Sequence, residues 1–197
     1  MPVKNLPIGK VRKIVSIYAG KKIPGFPELL SYRAEPRKSF IEFEYIEGKL
    51  IAETDLNAAF FNLGKLHSRF RITEGKICFR TLCHGDVHRK NIVSSSRGIF
   101  FIDNVSMHIG WNYTDLDYVD TLDLFDEAKY PWIIKDKGVL DSYFEGTGAK
   151  PDKNELSDFR RKAAVYALKE YIRNGSRNNI DVSYELSCLD KIDNLLY

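Results

Sequence analysis

Hydrophobic residues recur at helical spacing in several parts of the chain. Near the N-terminus, a stripe with the i, i+3, i+4, i+7 spacing predicts a short amphipathic helix that ends at Gly20. The stripe consists of Val11, Ile14, Val15 and Tyr18. Similar stripes predict four further helices, over residues 54–70, 131–144, 152–173 and 186–195. The chain beyond its first quarter is therefore expected to be mainly helical.

Strands are predicted mostly in the N-terminal part of the chain. Residues 39–46 alternate between apolar and polar, which is typical of a half-buried strand. The apolar side of this strand is formed by Ile41, Phe43 and Tyr45. Another strand is predicted over residues 28–32, after a turn rich in proline and glycine. Strands followed by helices indicate an α+β protein.

Length and charge set the limits of the interpretation. The 197 residues, 44% of them hydrophobic, can bury a sizeable core in one domain or in two lobes that share a hinge. A net charge of only +3 does not indicate a nucleic-acid-binding protein. The charge is uneven, because residues 1–38 carry nine Lys or Arg and two Glu, whereas residues 103–127 carry seven acidic residues and no Lys or Arg.

The chain shows no feature of a membrane or secreted protein. Its N-terminus lacks an apolar signal segment, and no apolar stretch approaches the length of a membrane span. Three cysteines, an odd number without metal-ligand spacing, favour reduced thiols. We therefore expect a cytoplasmic protein that binds neither nucleic acid nor membrane; its oligomeric state is left open.

The stretch from Cys83 to Val93 contains the most specific chemical pattern. His84, Asp86 and Asn91 fit the spacing H-x-D-x-x-x-x-N, which matches the catalytic loop of kinases. In that loop the Asp takes the proton of the acceptor hydroxyl and the Asn binds a metal ion. The pattern predicts phosphoryl transfer.

A hairpin after this loop would complete a metal site. Apolar runs at 91–93 and 99–102 flank a loop that contains Gly98, which predicts two antiparallel strands. Asn91 would then begin one strand, and Asp103 would follow its partner. Carboxylate and carboxamide oxygens suit Mg²⁺, so we predict Asn91 and Asp103 as its ligands.

Two other interpretations of this stretch are open. His84, Asp86 and His88 have side chains that commonly bind zinc, although that interpretation leaves Asn91 and Asp103 without roles. The His-Gly-Asp sequence is also compatible with a purely structural turn.

Four segments resemble, in order, the aminoglycoside phosphotransferase and choline kinase branch of the protein-kinase-like superfamily. They are the hinge-like sequence Phe43 to Gly48, the helix sequence Leu63 to Ser68, the catalytic-loop sequence with His84-Gly85-Asp86, and Thr114-Asp115-Leu116 after the metal carboxylate. The resemblance covers about residues 40–145. It implies a two-lobe kinase-like α+β fold with a reduced N-terminal lobe and hinge at 1–48 and a mainly helical catalytic lobe at 49–197.

The resemblance also implies an activity and its cofactors. It implies an ATP-dependent phosphotransferase that moves the γ-phosphoryl group to a hydroxyl of a small molecule, with Mg²⁺. Asp86 is expected to be the catalytic residue, supported by His84, and Asp115 to anchor the loop by hydrogen bonding. The backbone of Glu44, Tyr45 and Ile46 is expected to meet the nucleotide base.

The sequence departs from the family pattern in its first lobe. No Gly-rich phosphate loop precedes the first helix, and that helix has no Glu to pair with a phosphate-binding lysine. Lys4 is the only residue placed where such a lysine would lie. These departures leave open a non-catalytic kinase-like binding or scaffold protein, and a protein Ser/Thr kinase is a further alternative.

The acidic segment offers a hypothesis about the acceptor. Asp117, Asp120, Asp123 and Asp126 are placed to attract a cationic acceptor, or they form a solvated acidic helix face.

Overall fold

The computed structural model describes residues 3–35, 38–125, 129–130, 133–178 and 180–194. The N-terminal part is a three-stranded antiparallel sheet with one helix. Its elements are β1 Val3–Asn5, α1 Ile8–Tyr18, β2 Leu29–Glu35 and β3 Lys38–Phe43. The strand order is β1-β3-β2, so β3 lies in the centre. The predicted helix and the strand predicted over residues 28–32 are confirmed, and the strand predicted over residues 39–46 is present but shorter.

Helix α1 packs its predicted apolar stripe into the core. Val11, Ile14 and Tyr18 are buried, whereas Lys10, Arg12 and Lys13 are exposed. The helix ends where Ala19 adopts a left-handed conformation, with φ 39°, and its N–H donates to Val15 O. A left-handed residue at this position satisfies a carbonyl that the helix itself leaves open.

The strand prediction fails at its C-terminal end. Strand β3 stops at Phe43, and Tyr45 is 67% exposed instead of facing the core with Ile41. Residues 44–47 have no regular secondary structure, so alternation alone did not locate the end of the strand.

The remaining chain consists of four helices and seven short strands in the described residues. They are β4 Lys49–Leu50, α2 Leu56–Arg69, β5 Arg80–Cys83, β6 Ile92–Ser95, β7 Gly98–Phe101, β8 His108–Trp111, β9 Val119–Asp120, β10 Ile134–Lys135, α3 Val139–Thr147, α4 Lys153–Arg177 and α5 Ser183–Asn194. Strands β4, β6 and β7 form one antiparallel sheet, and β5 pairs antiparallel with β8.

The predicted helix over residues 131–144 is wrong in its first half. Pro131 and Trp132 lie outside the described residues, and Ile134–Lys135 forms β10, which pairs parallel with β9. Helix α3 begins only at Val139, after Gly138. The pairing with β9 outweighs the local helical pattern.

Helix α4 begins as predicted and extends past its predicted end. Asp152 and Glu155 form a capping box at its start. The helix continues through Gly175 to Arg177. An added Cβ at Gly175 would lie 2.4 Å from Val182 Cγ1. Glycine therefore serves here for close packing within the helix and not for its termination.

Two buried clusters support the fold. The larger one connects α1, β3, α2, α3 and the start of α4, with Tyr18, Phe60 and Phe159 among its fully buried members. The smaller one packs α4 against α5 and the acidic segment. Within the described ranges, none of the helices is long and apolar enough to cross a membrane.

Candidate active site

The His84-Gly85-Asp86 loop is anchored by the buried carboxylate of Asp115. Asp115 Oδ2 accepts the backbone N–H of His84 at 2.7 Å, and Oδ1 accepts that of Gly85 at 2.6 Å. The prediction that Asp115 anchors this loop is confirmed. Strand β5 delivers the chain to the loop, and pairing with β8 fixes its direction.

A chain of side-chain hydrogen bonds extends this anchor into the core. Asn112 Nδ2 donates to Tyr143 Oη at 3.0 Å, Tyr143 Oη donates to His67 Nδ1 at 2.9 Å, and His67 Nε2 donates to Asp115 Oδ2 at 3.0 Å. Burial alone would raise the pKa of Asp115, but the hydrogen bonds from His67 and Gly85 hold that pKa below its usual value. Asp115 is therefore a buried anion with three N–H donors.

Gly85 has a backbone conformation that suits glycine. Its φ is +80°, and an added Cβ would lie 2.6 Å from Ser106 O. The loop thus turns sharply between His84 and Asp86 while staying close to the segment that follows Asp103.

His84 lies inside the molecule and connects the loop to the hairpin. Its ring is fully buried, stacks on Phe26 at 5.7 Å, and donates from Nε2 to Ile102 O at 2.8 Å. Burial lowers the pKa of His84, so the imidazole is neutral. His84 thus holds the residue before Asp103.

Asp86 is held at both carboxylate oxygens. Asn91 Nδ2 donates to Oδ2 at 3.0 Å and Tyr118 Oη donates to Oδ1 at 3.0 Å; His88 Nε2 lies 3.7 Å from Oδ2. Burial alone would raise the pKa of Asp86, but its contacts with His88 and Tyr118 bring that pKa below its usual value. Asp86 is therefore an oriented, ionised carboxylate. Sequence reasoning missed Tyr118, for which no local pattern gives a signal.

The predicted hairpin brings Asn91 and Asp103 to neighbouring positions. Strands β6 and β7 pair in register from Ile92 with Phe101, and Ile102 N donates to Asn91 O at 2.8 Å. Asp103 follows directly in a left-handed conformation, with φ 63°, before the short 3-10 turn Asn104–Ser106. Asn91 also donates from Nδ2 to Asp86 O at 3.0 Å. The structure thus brings Asp86 and Asn91 next to the start of residues 102–106, which we call the Asp103 segment.

The structure does not support zinc binding by His84, Asp86 and His88, because the described residues show no ligand cluster there. Among the described His, Cys, Asp and Glu residues, three ligand atoms lie within 4.8 Å of one another only at His67, Cys83 and Asp115. That cluster is occupied by its own hydrogen bonds, since both His67 nitrogens are engaged and Cys83 Sγ donates to Trp111 O at 3.4 Å. We interpret it as structural.

A cavity of about 150 Å³ lies between the predicted hinge residues and the Asp103 segment. One wall is formed by residues 43–46, and the facing wall by residues 102–105, with Pro27 between them. Predicted residues Glu44, Tyr45, Ile46 and Asp103 therefore border one space. A larger open groove lies beyond the hinge, along residues 47–55 and 94–96, and does not include Asp86 or Asp103 in its lining.

The backbone of the hinge is only partly engaged. Glu44 N donates to Glu28 O at 2.8 Å, so that amide is not available to a ligand. In the part of the chain that the structure describes, no backbone partner is seen for the N–H of Ile46 or the C=O of Glu44. The Glu44 side chain accepts from Arg97 at 2.7 Å, and this ion pair ties the hinge to the β6–β7 hairpin.

The other predicted residues differ in their outcome. Lys4 lies in β1 with its backbone paired to Ile41, and its side chain lies outside the described part of the structure. Asp120 is not part of an acidic surface: its carboxylate is fully buried and accepts from Lys135 Nζ at 2.9 Å. Asp123 is 88% exposed, and Asp126 lies outside the described residues.

Asp117 is the residue of the acidic segment whose charge interacts with those of Asp86 and Asp115. Its Oδ1 is buried, and within the described residues it has no hydrogen-bond partner. Burial, together with the charges of Asp115 and Asp86, raises the pKa of Asp117 well above its usual value. Asp117 therefore binds a proton more readily than an ordinary aspartate.

Comparison with known proteins shows the fold. The chain superposes on an aminoglycoside phosphotransferase, APH(3'')-Id from Streptomyces rimosus ATCC10970, with a TM-score of 0.50 and 14% identity, over 80% of this chain and 83% of that chain. The chain therefore has an α+β fold similar to that of this structure. No protein-family model matches it, and no curated protein matches it in sequence. A likeness at this level of identity establishes the fold and leaves activity to the site.

Proposed function

We propose that the protein is an ATP-dependent phosphotransferase that transfers the γ-phosphoryl group to a hydroxyl of a small molecule. The observation that carries this proposal is the Asp86 carboxylate, ionised and oriented by Asn91 and Tyr118, on a loop that adjoins the Asp103 segment. The fold shared with an aminoglycoside phosphotransferase supports the same reaction class.

Asp86 is assigned to the acceptor. A carboxylate within hydrogen-bond reach of a hydroxyl can orient it and take its proton as the oxygen attacks phosphorus. The depressed pKa of Asp86 ensures that the carboxylate is ionised at neutral pH. Tyr118 Oη now donates to Oδ1 as an acceptor hydroxyl would, so the acceptor is expected to approach from the Tyr118 side.

Asn91 and Asp103 are assigned to Mg²⁺. Both Asn91 Nδ2 contacts go to Asp86, which leaves the carboxamide oxygen for a metal. Oxygen donors on two adjoining backbone segments are the ligand type that Mg²⁺ takes together with substrate phosphates. The bound Mg²⁺-nucleotide would supply the phosphoryl group and neutralise charge as it moves.

The cavity between the hinge and residues 102–105 is assigned to the nucleotide base. The Glu44 carbonyl and the Ile46 amide form an acceptor and donor pair, which matches the edge of adenine. Lys4 is retained as the proposed phosphate-binding residue, because β1 lies beside the central strand β3. In this assignment residues 1–48 are a reduced N-terminal lobe with its hinge, and residues 49–197 are the catalytic lobe.

Transfer of labelled phosphate tests the proposal. The protein, γ-labelled ATP and Mg²⁺ are incubated with a panel of amino sugars, aminoalcohols and sugars, and the products are separated. Asp86→Asn should abolish product formation while the protein remains folded, and Asp123→Asn, which alters an 88% exposed carboxylate, should leave it unchanged. Retention of most activity by Asp86→Asn would reject the assignment. Label on the protein itself would instead favour a protein kinase.

A kinase-like binding protein without catalysis is the second candidate. It is favoured by one observation: α1, spanning Ile8–Tyr18, contains no acidic residue to pair with a phosphate-binding lysine. A rise in melting temperature on addition of Mg²⁺-ATP, without phosphate transfer to any member of the panel, would support this candidate.

A further inference from the structure

Helix α1 is tied to the Asp103 segment by one buried pair of polar side chains. Asn104 Nδ2 donates to Tyr18 Oη at 2.7 Å, and Tyr18 Oη donates to Pro27 O at 3.0 Å. Tyr18 and Asn104 are each 1% exposed. The pair therefore joins the last turn of α1, the turn before β2 and the residue that follows Asp103.

The position of Asn104 makes this pair relevant to Asp103. Asn104 begins the 3-10 turn that follows the left-handed Asp103, and Met107 N donates to Asn104 O at 3.3 Å. Asn104 also lines the cavity next to Asp103. A displacement of the Asn104 side chain would thus move the backbone from which the Asp103 carboxylate extends.

The chemistry of the pair favours a fixed geometry. Burial raises the pKa of Tyr18, so its hydroxyl stays protonated and serves as donor and acceptor at once. The Oδ1 of Asn104 is buried without a partner in the described residues, so its Nδ2 contact with Tyr18 is the hydrogen bond that orients the amide. A buried polar group that loses its partner is unfavourable. Orientations of the Asn104 amide that break its hydrogen bond to Tyr18 are therefore disfavoured.

We propose that Tyr18 is a positioning residue that, through Asn104, fixes the Asp103 segment relative to α1. This inference rests on the proposed function, because it gives the N-terminal lobe a means of setting the Mg²⁺ ligand. The Tyr18–Asn104 hydrogen bond thereby connects α1, which contains no acidic residue, to the proposed metal site. Movement of α1 would then change the affinity for Mg²⁺.

Removal of one oxygen atom tests the proposal. Tyr18→Phe keeps the ring, which packs against Phe43 at 5.6 Å, and deletes both hydrogen bonds. Loss of one buried bond of this kind corresponds to about tenfold in an equilibrium constant. We expect the Mg²⁺ dissociation constant, measured at saturating ATP, to rise about tenfold, with a smaller change in ATP affinity measured without metal.

The matched control is Tyr184→Phe. Tyr184 Oη donates to Leu124 O in the smaller hydrophobic cluster, so this variant also deletes a tyrosine hydroxyl that bonds a backbone carbonyl. It should lower the melting temperature without altering Mg²⁺ affinity. If Tyr18→Phe lowers the melting temperature and leaves Mg²⁺ affinity at the wild-type value, its role is structural only and the proposal is overturned.

A second measurement is independent of the proposed function. The amides of Val105 and Met107 donate to Asp103 O and Asn104 O within the turn, so their hydrogen exchange reports its order. Faster exchange at both amides in Tyr18→Phe, and none in Tyr184→Phe, would support the positioning role even if the wild type bound no Mg²⁺-nucleotide. Absence of Mg²⁺-nucleotide binding by the wild type would reject only the proposed function. Unchanged exchange at both amides in Tyr18→Phe would reject the positioning role.

Discussion

Substitution of Asp115 by Asn should destabilise the protein although it changes only one atom. The carboxylate is fully buried and receives three N–H donors, from His67, His84 and Gly85. An amide has one oxygen, so its NH₂ group must face at least one of these donors. The less unfavourable orientation places the NH₂ group against the Gly85 N–H and keeps the other two contacts on oxygen.

The size of the effect follows from these contacts. One hydrogen bond to a charged acceptor contributes about 1.5–3 kcal/mol, and a buried N–H left without an acceptor adds a penalty of about 1–3 kcal/mol. The two remaining bonds also become neutral and weaker. We therefore expect Asp115→Asn to lower the free energy of unfolding by about 3 kcal/mol, measured by urea denaturation at neutral pH.

Asp117→Asn is the matched control, two residues away. The pKa of Asp117 is raised by burial and by the nearby charges of Asp115 and Asp86, so an amide resembles its favoured neutral form. This variant should be at least as stable as the wild type at neutral pH. Equal stability of Asp115→Asn and the wild type would refute the anchoring role.

The two carboxyl groups also predict opposite effects of pH. The raised pKa of Asp117 stabilises the fold below its unfolded pKa of about 3.9, and this contribution is lost as pH rises through the folded pKa. The lowered pKa of Asp115 stabilises above the unfolded pKa, and this contribution is lost as pH falls through the folded pKa. As pH rises above the unfolded pKa of about 3.9, the stability of Asp117→Asn should therefore depend less on pH than that of the wild type; identical dependence would contradict this.

Two further substitutions test the loop and the acidic segment. Gly85→Ala should lower stability by about 1–3 kcal/mol and reduce phosphate transfer, because it combines a positive φ with a close backbone contact. Gly148→Ala, which has a similar φ of +74° but an added Cβ in open space, should lower stability less and leave transfer intact. Lys135→Ala should destabilise by about 3–5 kcal/mol, since it leaves the buried Asp120 without its cation. Asp123→Asn, which keeps a residue type that tolerates the left-handed backbone at this position, should change stability by less than about 0.5 kcal/mol. Urea denaturation of the four variants measures the changes in stability, and transfer of labelled phosphate measures the activity of the two glycine variants. Equal effects within either pair would contradict the role given to Gly85 or to Lys135.

Local patterns predicted the part of the site that is contiguous in sequence. The spacing between Asp86 and Asn91 and the apolar runs of the hairpin lie within one short stretch, and they placed Asn91 next to the Asp103 segment. The apolar stripe of α1 was predicted for the same reason, because a helix has a fixed period.

Contacts between distant segments could not be predicted. The Tyr18–Asn104 and Tyr118–Asp86 hydrogen bonds join residues 86 and 32 positions apart, and only the assembled fold brings them together. Tertiary context also explains the errors. Ile134 joins β9 by parallel pairing, and Tyr45 leaves the alternation because β3 has already ended. Periodicity describes a segment alone and carries no information about its partner.

Binding of ATP measured by isothermal titration, with and without Mg²⁺, tests the central claim most directly. The claim is that the Asp103 segment and the hinge cavity form a Mg²⁺-nucleotide site. We predict that Mg²⁺ strengthens ATP binding to the wild type and that Asp103→Asn abolishes this strengthening without unfolding the protein. ATP binding that is indifferent to Mg²⁺, or that depends on Mg²⁺ equally in Asp103→Asn, would contradict the account.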